Sequence, residues 1–184
     1  GPRLNKALNE QIVFVQNGNG LFATELETTI FKPEGEGPFP LIVIGAGAAG
    51  MMCAAVAGQL GSRVVLIDHR HTPGEKIRIS GGGRCNFTNR DAAPAHYFSA
   101  NPDFCRSALA RHPAADFIAL VQAHGIGYHE KHRGQLFCDD TSQRIIDMLL
   151  AECRAGRVEH RQPCAVREVR HGSAGFELDT ARGP

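Results

Sequence analysis

Residues 41–89 read LIVIGAGAAGMMCAAVAGQLGSRVVLIDHRHTPGEKIRISGGGRCNFTN, and this stretch decides the fold class. It opens with an apolar run at 41–44, which predicts a buried strand. Directly after the run stands the motif GAGAAG, with glycines at Gly45, Gly47 and Gly50. A helix of small residues is predicted at 51–60. The order strand, glycine turn, helix is typical of a domain that binds a dinucleotide.

A second apolar run at 64–67 completes this unit and ends in Asp68. The acid follows Gly50 by 68 − 50 = 18 residues, close to the spacing of about 20 residues in dinucleotide-binding domains. A carboxylate there can accept both hydroxyls of an adenosine ribose, which favours FAD or NAD over a 2′-phosphorylated cofactor. The glycine turn would present N–H groups at a helix N-terminus to the pyrophosphate. A turn that merely packs a helix tightly on a sheet is the alternative interpretation.

A second glycine-rich stretch, GEKIRISGGGRCN at 74–86, is not part of a generic dinucleotide fold. Three successive glycines flanked by basic and polar residues can bring main-chain N–H groups and positive charge to a phosphate or an anionic ring. Composition alone is equally compatible with a flexible surface loop.

Together, GAGAAG and GEKIRISGGGRCNFTN resemble the signature of a bacterial flavoprotein family, the BaiN-like or aminoacetone-oxidase-family NAD(P)/FAD-dependent oxidoreductases. The resemblance covers about 140 of the 184 residues, from 41 to about 180. It implies FAD as the cofactor and NAD(P)H as an electron donor, with the second glycine stretch lying along the FAD. The backbone around 163–166 resembles a strand that meets adenine. The residues that this resemblance places at the cofactor are Gly45, Ala46, Gly47, Ala48, Ala49, Gly50, Asp68, His69, Lys76, Ser80, Gly81, Gly82, Gly83, Arg84, Cys85, Asn86, Ala165 and Val166.

The remainder of the chain fits an α/β fold, a Rossmann-like FAD-binding (βαβ) half-domain with helices and a β-meander. Apolar periodicity predicts two helices within 101–124, separated at Pro113, and an amphipathic helix at 142–154. The meander is predicted from short β-type runs. These runs lie at 158–161, 165–169 and 175–179.

The first 40 residues form a separate segment in this interpretation, a native, fused or engineered extension before a partial FAD domain at 41–184. A β-hairpin is predicted at 12–31 because Asn-Gly pairs are typical of tight hairpin turns. Residues of about 10–43 resemble the start of a dienelactone-hydrolase-type α/β-hydrolase. Because no G-x-S-x-G nucleophile elbow occurs, a hydrolase-related chimera is a lesser alternative.

The leading function is therefore an FAD-dependent oxidoreductase, or a truncated fragment of one that lacks the half enclosing the flavin ring. No catalytic residue is assigned and the substrate stays unknown. A nucleotide-binding or assembly module without turnover is the non-enzymatic alternative. Since the missing half would leave sheet edges and apolar surface open, a homo-oligomer is expected.

The amino-acid composition limits the classes of partner that are expected. Lys and Arg number 20 against 19 Asp and Glu, a net charge of +1, so neither nucleic acid nor an anionic membrane is expected as a partner. No secretion signal or long apolar run is present, and the six cysteines contain no C-x-x-C, which favours a cytoplasmic protein with reduced thiols. His129-x-x-His132 suggests a metal site only superficially, because no ligand partner stands at the usual spacing, and no metal is predicted.

Overall fold

A computed structural model describes residues 12–14, 40–101, 103–172 and 175–181. These residues form two compact units, the first from 12–14, 40–74 and 149–181 and the second from 75–148. The elements in chain order are β1 (Ile12–Phe14), β2 (Pro40–Ile44), α1 (Ala48–Gln59), β3 (Arg63–Ile67), α2 (Glu75–Ile79), β4 (Asn86–Asn89), α3 (Arg106–Arg111), α4 (Ala114–Ala123), β5 (Tyr128–Glu130), β6 (Gln135–Cys138), α5 (Gln143–Ala155), β7 (Glu159–Arg161), β8 (Val166–Gly172) and β9 (Gly175–Thr180).

The first unit is built on a parallel sheet with strand order β1-β2-β3-β7. Strands β2 and β3 pair in register, with Ile42 opposite Val65, and α1 connects them. Val43 and Leu66 are fully buried in this sheet, as is Met51 of α1. The β8–β9 hairpin is antiparallel, and its residues Val166 and Leu178 pack in one apolar cluster with Ile67. Burial of β2 and β3 explains their continuous apolar sequences.

The second unit holds an antiparallel sheet with strand order β4-β6-β5. Phe87 of β4 packs against Phe117 of α4 and Tyr128 of β5, with ring centroids 6.1 and 5.6 Å away. Pro113 stands at the N-cap of α4, where its fixed φ separates α3 from α4.

The Rossmann-like α/β fold predicted from the sequence is confirmed, including the strand–turn–helix–strand unit, the two helices around Pro113 and α5. Helix α1 begins at Ala48 rather than at 51, because the last residues of GAGAAG already form its first turn. The second glycine-rich stretch at 74–86 is only partly a loop. It contains α2, and its last residue, Asn86, begins β4; neither element was predicted.

The predicted β-meander is reduced to a hairpin. Strand β7 pairs in parallel with β3, through Leu66 and His160, instead of joining β8 and β9. The reason is topological, since α5 returns the chain so that the next strand runs in the same direction as β3.

Part of the predicted N-terminal segment is visible as β1, which pairs in parallel with β2, Ile12 opposite Ile42. The remainder of the predicted hairpin at 12–31 lies outside the described residues, as does most of the stretch that resembles a hydrolase. The boundary at residue 40 stays a prediction. Within the described ranges, no helix combines the length and apolar character needed to cross a membrane.

Candidate functional site

The glycine turn after β2 has a backbone that only glycine accommodates at two positions. Gly45 adopts φ 109°, in the region that L side chains rarely enter, and its N–H donates to the Ile67 carbonyl at 2.7 Å. A Cβ atom on Gly50 would lie 1.8 Å from the Gly45 carbonyl oxygen. The turn therefore folds back on the start of α1 at van der Waals distance.

The N-terminus of α1 has the features of an anion site. Its first backbone hydrogen bond runs from Met51 N–H to the Gly47 carbonyl, 2.9 Å long, so the N–H groups of residues 48–50 have no intrahelical acceptor. No side chain caps the helix and its first turn carries no acidic residue. A pyrophosphate fits this arrangement because it would supply both the missing acceptors and the charge that the helix dipole favours.

Asp68 supports this turn directly. Its Oδ2 accepts the Ala46 N–H at 2.6 Å and its Oδ1 accepts the Arg70 N–H at 2.8 Å. The Asp68 side chain is 13% exposed, whereas the neighbouring His69 side chain is 67% exposed, with its Nδ1 3.4 Å from Asp68 Oδ1. Each carboxylate oxygen has two lone pairs, so the acid can hold the turn and still accept a ribose hydroxyl.

Two further side chains lie in or directly after β7, the strand that pairs with β3. Asp68 N–H donates to the Arg161 carbonyl at 3.2 Å, which brings the end of β7 beside the acid. Burial lowers the pKa of His160, against the opposing influences of Asp68 and of a hydrogen bond with Gln162. Among the described residues, Gln162 Nε2 is buried without a hydrogen-bond partner. Sequence reasoning missed both residues, because a single His within a short strand or a single Gln after it carries no local signal.

The predicted adenine-contacting residues lie in the same unit. Val166 opens β8 and is half-buried in the cluster with Ile67. The Ala165 carbonyl accepts the Ala181 N–H at 2.8 Å. The structure thus assembles the residues predicted from the first motif, Asp68 and the start of β8 within one unit.

The second glycine stretch forms a left-handed turn. Gly81, Gly82 and Gly83 have φ values of 58°, 67° and 85°, which explains three glycines in a row. A Cβ on Gly81 would also lie 2.7 Å from the Phe137 ring, whereas Cβ atoms on Gly82 and Gly83 would meet nothing within 4 Å. The backbone of the last two glycines is therefore open to a ligand.

Hydrogen bonds close this turn at several points. Ser80 Oγ donates to the Ile77 carbonyl at 3.0 Å, and the Ser80 carbonyl accepts the Cys85 N–H at 3.1 Å. Cys138 N–H donates to the Arg84 carbonyl at 2.9 Å. The side chains of Lys76, Arg84 and Asn86 are exposed. The turn consequently offers a defined main chain with two cations on the surface nearby.

Two buried thiols flank the turn. Cys85 is left-handed at φ 53°, and burial raises its pKa, partly offset by a hydrogen bond with Ser80. Burial is also the main reason that the pKa of Cys138 rises to about 12. Both thiols are therefore protonated at neutral pH, which makes them poor nucleophiles.

In the histidine pair considered for metal binding, His129 contacts an acid and an aromatic ring. His129 Nδ1 lies 2.8 Å from Asp139 Oδ1, and the ring stacks on Phe137 with centroids 6.3 Å apart. In the part of the chain that the structure describes, no group of three or more His, Cys, Asp or Glu residues is placed to hold a metal ion.

Comparison with known proteins places the chain in a family. The description "HI0933-like protein Rossmann domain" matches residues 39–183. The chain belongs to the HI0933-like Rossmann domain family. This membership confirms the resemblance to BaiN-like, FAD-binding flavoprotein oxidoreductases, over the N-terminal part of the family.

Individual relatives agree with this membership. A ribosomal RNA dihydrouridine synthase of Escherichia coli K12 is 57% identical over 141 residues, covering 77% of this HI0933-like chain and 35% of the relative. A ribosomal RNA dihydrouridine synthase of Haemophilus influenzae is 55% identical over 112 residues, covering 61% of the chain and 28% of the relative. The chain therefore spans about a third of the length of these curated relatives.

Among solved structures, L-proline dehydrogenase from P. horikoshii superposes with a TM-score of 0.52 at 9% identity, covering 80% of this chain and 50% of the other. At that identity the likeness shows the fold alone.

Proposed function

We propose that this chain is the FAD-binding part of a flavoprotein oxidoreductase. The observation that carries the proposal is the contact between Asp68 Oδ2 and the Ala46 N–H, 2.6 Å long. It joins the acid to the glycine turn while the helix N-terminus beyond keeps N–H groups available for a pyrophosphate. In this proposal residues 45–50 hold the pyrophosphate, Asp68 accepts ribose hydroxyls, and the backbone at Ala165 and Val166 meets adenine.

We assign the second glycine stretch to FAD as well, on its own geometry. The left-handed turn leaves the main chain of Gly82 and Gly83 accessible, since a Cβ on either would meet nothing within 4 Å. Exposed Lys76 and Arg84 add positive charge. A neutral main-chain surface beside two cations suits the anionic parts of a flavin nucleotide.

For the whole protein we propose the activity for which its relatives are named, the reduction of uridine to dihydrouridine in ribosomal RNA. Identity of 57% over 141 residues supports this substrate. FAD, reduced by NAD(P)H, would supply the hydride, and a proton from an acid or from water would complete saturation of the uracil C5–C6 double bond. The net charge of +1 favours a segment that holds the cofactor over one that binds the RNA backbone.

Two alternatives predict different behaviour. A nucleotide-binding module without turnover would bind FAD and ADP but leave the flavin unreduced in the presence of NAD(P)H. A hydrolase-related chimera would hydrolyse a model ester and lose that activity with a serine-directed inhibitor.

A negative charge introduced at the start of α1 tests directly whether a pyrophosphate binds there. Ala48 is exposed in the first turn, so Ala48→Glu adds a carboxylate where the pyrophosphate would bind, in a position that favours the helix itself. Isothermal titration should show FAD and ADP binding to the wild type and to the size-matched Ala48→Gln, and binding at least tenfold weaker to Ala48→Glu. Equal affinity of the Glu and Gln variants would refute the assignment.

A further inference from the structure

Ser142 is a buried polar residue directly before α5, only 2% exposed. It makes two hydrogen bonds to the second glycine stretch. Its N–H donates to the Gly83 carbonyl at 2.7 Å, and its Oγ donates to the Arg78 carbonyl at 3.0 Å. One residue thus binds the stretch both before the three glycines and at the last of them.

Other hydrogen bonds hold the second glycine stretch near the same two positions. The Arg78 guanidinium donates to Gln143 Oε1, so α5 engages both the backbone and the side chain of Arg78. On the other side, Arg84 receives the Cys138 N–H. Gly82 and Gly83 have little steric restriction of their own, since a Cβ on either would meet nothing within 4 Å.

A turn of three glycines would sample many conformations without such anchors, because glycine loses more backbone entropy on ordering than any other residue. A ligand that binds the turn would then have to supply that ordering free energy. Anchors that are already formed remove this cost from binding.

We infer that Ser142 is a positioning residue, whose hydroxyl holds the turn at Gly81–Gly83 in the shape that contacts FAD. The inference rests on the proposed function, because it takes FAD to be the ligand of this turn. Ser142 acts through the loop and need not touch the cofactor. ADP, which the first glycine motif would hold by itself, should not depend on Ser142.

An isosteric pair of variants isolates the hydroxyl. Ser142→Thr and Ser142→Val add the same volume, but only threonine keeps the donor to the Arg78 carbonyl. Loss of one buried hydrogen bond corresponds to about a three- to tenfold change in affinity. We therefore expect Ser142→Val to bind FAD about three- to tenfold more weakly than Ser142→Thr, with the ADP affinities of the two variants equal.

Controls separate positioning from general damage. Ser107→Val changes an exposed serine on α3 and should leave FAD affinity as in the wild type. Circular dichroism verifies the fold of every variant. Ser142→Ala removes the hydroxyl without adding volume, so it replaces the isosteric pair if the larger side chains prevent folding. Ser142→Ala should show the same loss of FAD affinity and no loss of ADP affinity.

The outcomes are distinct. Equal FAD affinity of the Thr and Val variants would overturn the role of Ser142 while leaving FAD binding intact. A parallel loss of ADP affinity would show a purely structural role. A wild-type chain that binds ADP but no FAD would overturn the assignment of the second glycine stretch, and one that binds neither would overturn the proposed function itself.

Discussion

Gly58 and Gly156 bring α1 and the turn after α5 together backbone to backbone. A Cβ atom on Gly58 would lie 2.3 Å from the Gly156 carbonyl oxygen, and one on Gly156 would lie 2.8 Å from the Ala55 carbonyl oxygen. Side chains add to the contact, since Cys153 Sγ lies 3.3 Å from the Met51 carbonyl. The close approach of α1 to α5 thus requires glycine in both.

Gly58→Ala should therefore destabilise the protein. Alanine favours a helix by about 1 kcal/mol over glycine, but the new methyl group would overlap a backbone atom that cannot rotate away. We expect a net loss of about 1–3 kcal/mol, the usual cost of overpacking, measured by urea unfolding. Gly172→Ala is the control, since its Cβ would meet nothing within 4 Å and its φ lies outside the left-handed region. A Gly58 variant as stable as the wild type would contradict the backbone contact.

Asp68→Ala should weaken ADP and FAD binding by about 1.5–3 kcal/mol, the scale of hydrogen bonds to a charged group. The same change should lower the free energy of unfolding, because the N–H groups of Ala46 and Arg70 lose their acceptor. Titration with ADP and urea unfolding measure the two effects separately. His71→Ala, which removes a nearby exposed side chain outside the predicted cofactor site, serves as the control. Unchanged ADP affinity in Asp68→Ala would mean that the acid only supports the turn.

Stability should decrease at alkaline pH. Burial raises the pKa of Cys138 from 9.0 to about 12, and that of Cys153 from 9.0 to about 11. Above pH 9 the unfolded chain releases thiol protons that the folded chain retains, so the stability due to these groups is complete below pH 9 and is lost as the pH rises towards 12. Urea unfolding between about pH 8 and about pH 11 should show this decline.

Cys138→Ala should show a shallower decline than the wild type, because one of the titrating thiols is gone. Leu136→Ala, on the same strand and equally buried, should lower stability by a similar amount at every pH. The same slope for Cys138→Ala and the wild type would exclude the thiol as the cause.

We still expect a homodimer or larger assembly, but because of exposed apolar side chains rather than open sheet edges. β2 is paired with β1 on one side and with β3 on the other, and β7 is short and charged, as protected edges commonly are. Exposed apolar side chains remain at the C-terminal end of α1, where Val56 is 41% exposed and Leu60, the residue after the helix, is 57% exposed. Size-exclusion chromatography with light scattering should find a species larger than a monomer, and Leu60→Glu should reduce it. A monodisperse wild-type monomer at high concentration would exclude association.

The first motif could be predicted from sequence because its causes are local. A glycine with positive φ at Gly45 and small residues in α1 follow from neighbours within a few positions. The spacing from Gly50 to Asp68 is likewise set by one helix and one strand. Such patterns identify a βαβ unit without knowledge of the remainder of the chain.

Residues with distant partners escaped prediction. Ser142 lies 64 positions from Arg78, and nothing in the sequence TSQR indicates that its hydroxyl closes a glycine turn. β7 was assigned to a meander because strand sequence does not encode the partner, which the return of α5 determines. Long-range hydrogen bonds and strand pairing thus account for most of the differences between the expected and the observed structure.

The bond between Asp68 and Ala46 has a consequence for changing cofactor preference. Replacing a ribose-binding acid by a neutral residue is the natural first step towards a 2′-phosphorylated nucleotide. In this chain the same carboxylate also accepts the Ala46 N–H at 2.6 Å, so that substitution would loosen the glycine turn, the proposed pyrophosphate site, as it opens space for the phosphate. An exchange of cofactor at this position would need a second acceptor for the Ala46 N–H, introduced together with the loss of the acid.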